Sequence, residues 1–287
     1  MKAINIAKLK TDQDGAIFGG YLFNFSTKGA ASVYKMSDVL NNNGQDIPYS
    51  SFILDKSELI CPHSNSVSFG VEYYEEGDEF PLLYSTVYNT YKNFPDRHEG
   101  ECCVYRIWRD GESFKSKLVQ LIKISFVDDI NEWKSLSENR DVRPYGNFTV
   151  DRENRKLYAF VMRDAPNKTR LFEFNLPDFN EGIFDERLGC FYKALEKSDI
   201  LSSFDFEYTR YMQGSCCCDG KIYSVEGFSA SEENPPAIRI IDTQNKKQIF
   251  YKQFKELGLE IEPEFIEFYD GKFYYIDGHG NLFNITF

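Results

Sequence analysis

The chain has three histidines, His63, His98 and His279. Neutral imidazoles suit a transition metal, and a histidine also serves as general acid or base. His98 lies in a long polar stretch and His279 in a Gly-His-Gly turn, so a three-histidine metal site is not expected. His63, in Pro62-His63-Ser64-Asn65-Ser66, is the best single ligand contact, with Asn65 beside it. A second group lies in Asp141-Val142-Arg143-Pro144-Tyr145-Gly146-Asn147-Phe148. Arg143 can fork onto a carboxylate or phosphate, Tyr145 can stack on a sugar, and Asn147 can hydrogen-bond either. A third group is acidic: Asp14 near the start of the chain, Glu262 and Glu264 near its end. Glycoside hydrolysis needs two opposed carboxyls.

Other chemistry is missing. No G-x-S-x-G elbow, P-loop, dinucleotide fingerprint or H-E-x-x-H motif occurs, and the residues name no cofactor. Five of the seven cysteines sit in contiguous runs, Cys102-Cys103 and Cys216-Cys217-Cys218. Adjacent cysteines on a strand point to opposite faces, which suits packing rather than disulfides. They read as reduced, small hydrophobes of a cytoplasmic protein. The net charge of −12 makes this an acidic protein and argues against a nucleic-acid surface. No apolar leader or run of membrane-spanning length is apparent, so no membrane partner is expected.

Those groups need a scaffold, and the chain supplies one by repetition. Cys216-Cys217-Cys218-Asp219-Gly220-Lys221-Ile222-Tyr223 returns as Glu267-Phe268-Tyr269-Asp270-Gly271-Lys272-Phe273-Tyr274. A looser copy runs Phe148-Thr149-Val150-Asp151, a turn, then Lys156-Leu157-Tyr158. Each copy reads as strand, tight polar turn, strand, and such repetition indicates a modular β architecture. Strands are expected at 15–20, 21–26, 31–36 and 51–54 in a first unit. A second unit has 65–71, 82–89, 101–109 and 117–125; a third has 147–151, 156–163, 169–176 and 204–208. A fourth has 214–218, 221–226, 237–242 and 248–254. The fifth has only 264–269, 272–277 and 281–287, and the lone segment 1–9 is expected to supply its missing outer strand. Two stretches interrupt this plan. A short helix is expected at 130–136, and Phe184, Leu188, Phe191, Tyr192 and Leu195 fall at roughly helical spacing, which predicts a helical insertion near 184–200.

With this layout the chain resembles a five-bladed β-propeller, an all-β ring of four-stranded antiparallel blades. The blades would be 13–55, 62–126, 141–209, 212–254 and 263–287 plus 1–9, making 1–287 one domain. Neither the WD dipeptide pattern nor a kelch pattern is present. The resemblance implies a ligand face around the central tunnel, formed by the loops that enter each inner strand and those that join the second and third strands. Asp14, His63, Asn65, Arg143, Tyr145, Asn147, Gln213, Glu264 and His279 all fall there. The expected function is ligand binding or protein interaction, with a carbohydrate or acidic sugar favoured as the small-molecule ligand and a protein partner possible. The alternative is a carbohydrate-active enzyme, a hydrolase through carboxylates or lyase-like through His63, Arg143 and Tyr145. Against it, Asn147 and Ser215 stand where a propeller glycosidase would place acids.

Overall fold

Aromatic and β-branched residues, broken by polar turns, give this chain short antiparallel strands. The structure is a computed structural model, and it describes residues 1–10, 12–41, 47–87, 98, 100–125, 146–161, 169–206, 211–229 and 231–287. Five sheets, each built on a four-stranded antiparallel blade, form a five-bladed β-propeller. Blade 1 holds β2 (Gly15–Phe18), β3 (Tyr21–Phe25), β4 (Ala30–Lys35) and β5 (Ser50–Ile53). Blade 2 holds β6 (Val67–Phe69), β7 (Leu83–Thr86), β8 (Glu101–Asp110) and β9 (Ser113–Ile124). Blade 3 holds β10 (Gly146–Asp151), β11 (Lys156–Val161), β12 (Thr169–Asn175) and β15 (Ser202–Phe206). Blade 4 holds β16 (Met212–Cys218), β17 (Lys221–Glu226), β18 (Ala237–Asp242) and β19 (Lys247–Gln253). Blade 5 holds β20 (Pro263–Tyr269), β21 (Lys272–Asp277) and β22 (Asn281–Thr286).

The ring closes as the sequence predicts. β1 (Lys2–Lys8) pairs antiparallel with β22, from Lys2 opposite Thr286 to Lys8 opposite Asn281. It thereby covers an edge that would otherwise be open. The core is five clusters, each wedged between neighbouring blades. The one that seals blade 5 to blade 1 packs Leu9, Ile17, Leu22 and Tyr34 against Phe265, Tyr274, Ile276 and Leu282. Inner strands touch around the axis in the order β2, β6, β10, β16, β20 and back to β2.

The repeated phrase is the hairpin that joins an inner strand to the next. Asp219 and Gly220 have φ of 52° and 65°, and Asp270 and Gly271 have 48° and 74°. Two consecutive positive φ values define the tight hairpin turn whose twist matches the strands. Gly15 meets a different demand, because a Cβ there would lie 2.1 Å from the Phe23 carbonyl oxygen.

The helical insertion is not found. Residues 184–200 contain two strands, β13 (Ile183–Asp185) and β14 (Cys190–Leu195), and a single 3-10 turn at Lys197–Asp199. β14 runs parallel to β9, with Phe191 opposite Gln120 and Leu195 opposite Ile124, and β13 folds back on it. The insertion from blade 3 thus extends blade 2 to six strands. Two local features defeat the helical spacing. Asp185 Oδ1 accepts the Arg187 and Leu188 N–H groups at 2.9 and 3.0 Å, and Gly189 follows at φ 70°. That turn reverses the chain, and the free edge of the long strand β9 captures the return. The expected helix at 130–136 lies outside the described residues. No helix among the described residues is long and apolar enough to cross a membrane.

Candidate functional site

The upper mouth of the tunnel, where inner strands begin, gathers one candidate from each blade. Asp14 precedes β2 and is buried. The Val67 N–H of blade 2 donates to its Oδ2 at 2.8 Å, while Oδ1 has no partner. Across the axis, a Cβ on Gly214 would sit 2.9 Å from Asp14 Oδ1 and from the Glu264 carbonyl oxygen. Gly214 thus packs against the Asp14 carboxyl and the Glu264 backbone. Burial pushes the Asp14 carboxyl well above the usual range; N–H groups of Gly15 and Val67 oppose this, and the charges of Glu267 and Glu264 add to it. Burial likewise raises Glu264 well above its ordinary value, with the charges of Glu262, Asp12 and Asp277 adding to it. Asn65 and Asn147 both donate side-chain N–H groups to the Met212 carbonyl, the latter at 3.4 Å. Asn147 Oδ1 is buried with no partner. Gln213 Nε2 donates to Glu262 Oε1.

The histidines occupy separate surroundings. His63 has φ 54°, and its backbone N–H donates to the Thr27 carbonyl at 3.2 Å. Burial lowers its imidazole pKa, and nearby Asp12 opposes the shift. His98 is buried, with Nδ1 2.7 Å from Glu101 Oε2. His279 is exposed in a turn whose clamp is Asp277: its carboxylate accepts N–H groups of His279 and Asn281 at 3.0 and 2.9 Å. Among the described residues no three His, Cys, Asp or Glu side chains are grouped to hold a metal ion. Arg143 and Tyr145 lie outside the described residues.

Below this mouth the tunnel narrows to a polar neck. Ser66 Oγ donates to the Phe148 carbonyl at 2.7 Å and lies 3.0 Å from Ser215 Oγ, which also meets Thr149 Oγ1. Blades 2, 3 and 4 are tied together there. Small hydroxyl residues fit where strands crowd, and each satisfies a neighbour's hydrogen-bonding group.

The lower mouth, where inner strands end, opens into a cavity of about 380 Å³ to which all five strands contribute. Ile17, Phe69, Val150 and Cys216 form apolar wall; Arg152, Glu153 and Glu267 bring charge. The Glu267 side chain accepts the Phe268 N–H at 2.9 Å and also bonds the Ile17 N–H. Burial pushes its carboxyl up to about 7, with the Phe268 N–H and Arg152 opposing. Arg152 Nε donates to the Gly70 carbonyl at 3.1 Å, and its guanidinium lies 4.8 Å from the Phe18 ring centre. Burial raises the thiols of Cys216, Cys217 and Cys218, the last to about 11, so they are not thiolate nucleophiles.

None of the lower-mouth charges was among the sequence candidates. The signal was present in the repeat itself: Glu267 occupies the position that Cys216 holds in the other copy. A charged residue at an otherwise apolar tunnel position asks for an explanation.

No protein-family model matches the chain, and no curated protein matches it by sequence. Solved structures do resemble it in fold. The exo-β-1,3-galactanase of Phanerochaete chrysosporium with β-1,3-galactotriose aligns over 99% of this chain and 64% of its own, at 12% identity and a TM-score of 0.50. Kuenenia stuttgartiensis hydrazine synthase aligns over 91% of this chain and 60% of its own, at 10% identity and 0.43. The Dos1 propeller aligns over 95% and 58%, at 8% identity and 0.36. The chain thus spans less than two thirds of the length of each of these three. Likeness at this identity is a likeness of fold alone.

Proposed function

We propose that the chain is a ligand-binding propeller whose upper mouth takes a neutral, polyhydroxylated ligand of the carbohydrate class. The observation that carries this reading is the pair of buried, unpartnered oxygens Asp14 Oδ1 and Asn147 Oδ1. Buried polar oxygens without partners are costly, and ligand hydroxyls, which both donate and accept, would satisfy them whether Asp14 is ionised or neutral. Carboxyls crowd this mouth, and Asp14 and Glu264 are already driven toward the neutral form. An acidic sugar would add a like charge, so a neutral sugar is favoured over a uronic acid. Residues 1–287 act as one domain in this reading. The cysteines are all free, which suits a reducing, cytoplasmic setting.

Thermal-shift titration with neutral mono- and oligosaccharides and with uronic acids tests the reading. A saturating rise in Tm with a neutral sugar, lost in Asn147→Ala, is expected. No rise with any neutral sugar, or a rise with uronic acids alone, overturns it.

A second reading, carbohydrate hydrolysis, draws on the raised Asp14 and Glu264 carboxyls, since a general acid must stay protonated near neutral pH. It requires an ionised partner carboxylate on the opposite side of the bond. Release of reducing sugar, abolished by Glu264→Gln, would separate it from binding alone.

A further inference from the structure

The lower mouth presents both signs of charge without pairing them. Arg152 and Glu267 line one cavity, yet no ion pair joins them. Arg152 is held from behind, by its Nε bond to Gly70 and by the Phe18 ring. Its two terminal nitrogens have no hydrogen bond among the described residues, and a planar fork of that kind suits a carboxylate. Glu267 is held from behind as well, by the backbone N–H groups of Phe268 and Ile17. Glu153 lines the same cavity. A simple anion entering here would meet two carboxyls, and a simple cation would meet a guanidinium. A ligand carrying both charges meets neither conflict.

We propose that the lower mouth binds a small zwitterion, a free amino acid with an apolar side chain. Its carboxylate pairs with Arg152, its ammonium with Glu267 and Glu153, and its side chain packs on Ile17, Phe69 and Val150. The cavity volume of about 380 Å³ lies in the range of small-molecule sites. This site is separate from the upper mouth, from which the Ser66, Thr149 and Ser215 neck divides it.

The test is calorimetric titration of the full chain with L-leucine, L-methionine and L-phenylalanine. Two blocked forms accompany each: the N-acetyl amino acid, which lacks the ammonium, and the amide, which lacks the carboxylate. Saturable binding of at least one free amino acid is expected, with each blocked form weaker by at least about tenfold. Arg152→Met should abolish that binding. If this variant does not fold, the blocked ligands on the unaltered chain still decide the question. No binding by any of the three amino acids overturns the proposal. So does equal binding by a blocked form, or undiminished binding to folded Arg152→Met. Binding unaffected by saturating neutral sugar keeps the site distinct from the upper mouth; direct competition would remove that distinction and overturn the assignment.

Discussion

At both mouths polar side chains tie neighbouring blades together, mostly through backbone groups; only at the lower mouth do charged ones among them also line a cavity. Asp14 grips the Val67 N–H, Asn65 and Asn147 converge on the Met212 carbonyl, and Gln213 reaches Glu262. Arg152 and Glu267 likewise anchor to Gly70, Phe268 and Ile17, yet both line the lower cavity. The same five strands make both ends. The difference teaches that the polar residues most visible in the loops serve partly as mortar between blades. Uncommitted charge sits where the repeated hairpins turn.

The largest effect should come from opening the ring that supports both mouths. Removing Lys2–Lys8 strips β22 of its partner and takes Ala7 from the cluster between blades 5 and 1. Exposed apolar surface and lost ladder bonds together should cost several kcal/mol, more than about 4. Chemical denaturation should then show an early loss of structure. An unchanged transition would mean that β1 does not close the propeller.

The next effect separates the mouths. Gly214→Val places a Cβ against Asp14 Oδ1, the Glu264 carbonyl and Phe265 Cα, at 2.9, 2.9 and 3.0 Å. Two of these are backbone atoms that cannot swing away, so a loss of about 3 kcal/mol is expected. Cys218→Ser, on the partly exposed rim of the lower cavity, should change stability by about 0.5 kcal/mol or less. Equal losses in the two variants would erase the distinction between a packed mouth and an open one.

Much of this was legible in the sequence because it rests on local chemistry. The Asp-Gly turns, the alternation in 221–226 and 272–277, and the lone strand ahead of blade 1 each carry their own signal, and the ring follows from their sum. The upper-mouth group of Asp14, Asn65, Asn147, Gln213 and Glu264 could be named because a propeller assigns loops to faces. The insertion was misread because its apolar spacing fits a helix, whereas the deciding partner, β9, lies some seventy residues away in the chain. Tertiary capture by an open edge leaves no mark on local periodicity. Glu267 and Arg152 were missed for another reason. Their strand ends look like repeat architecture, and only the closed ring shows that five such ends enclose a cavity.

The last contrast concerns pH and reads both mouths at once. Glu267 titrates at about 7 in the folded chain against an ordinary 4.5. A raised carboxyl means that the folded state binds the proton more tightly than the unfolded state does. Its contribution is complete below 4.5 and is lost as pH rises through 7. Asp14 and Glu264 are raised as well, so their contributions have the same sign. His63 acts oppositely: its imidazole is lowered, and what it contributes above 6.5 is lost as pH falls below that value. Tm should therefore rise as pH is lowered from about 8 toward about 4.5, less steeply below about 6.5, where His63 opposes the carboxyls. Glu267→Gln removes the ionisation while leaving a side-chain oxygen for the Phe268 N–H. It should stabilise the chain at pH 8 by on the order of 2 kcal/mol and shrink the slope between pH 6 and 8. Asp14→Asn should also stabilise at pH 8, but its effect should not depend on added amino acid. Glu267→Gln should lose any stabilisation that L-leucine confers. A Glu267→Gln variant less stable at pH 8, with its slope intact, would mean that Arg152 already neutralises this carboxylate, and the lower mouth would then be as tied down as the upper one.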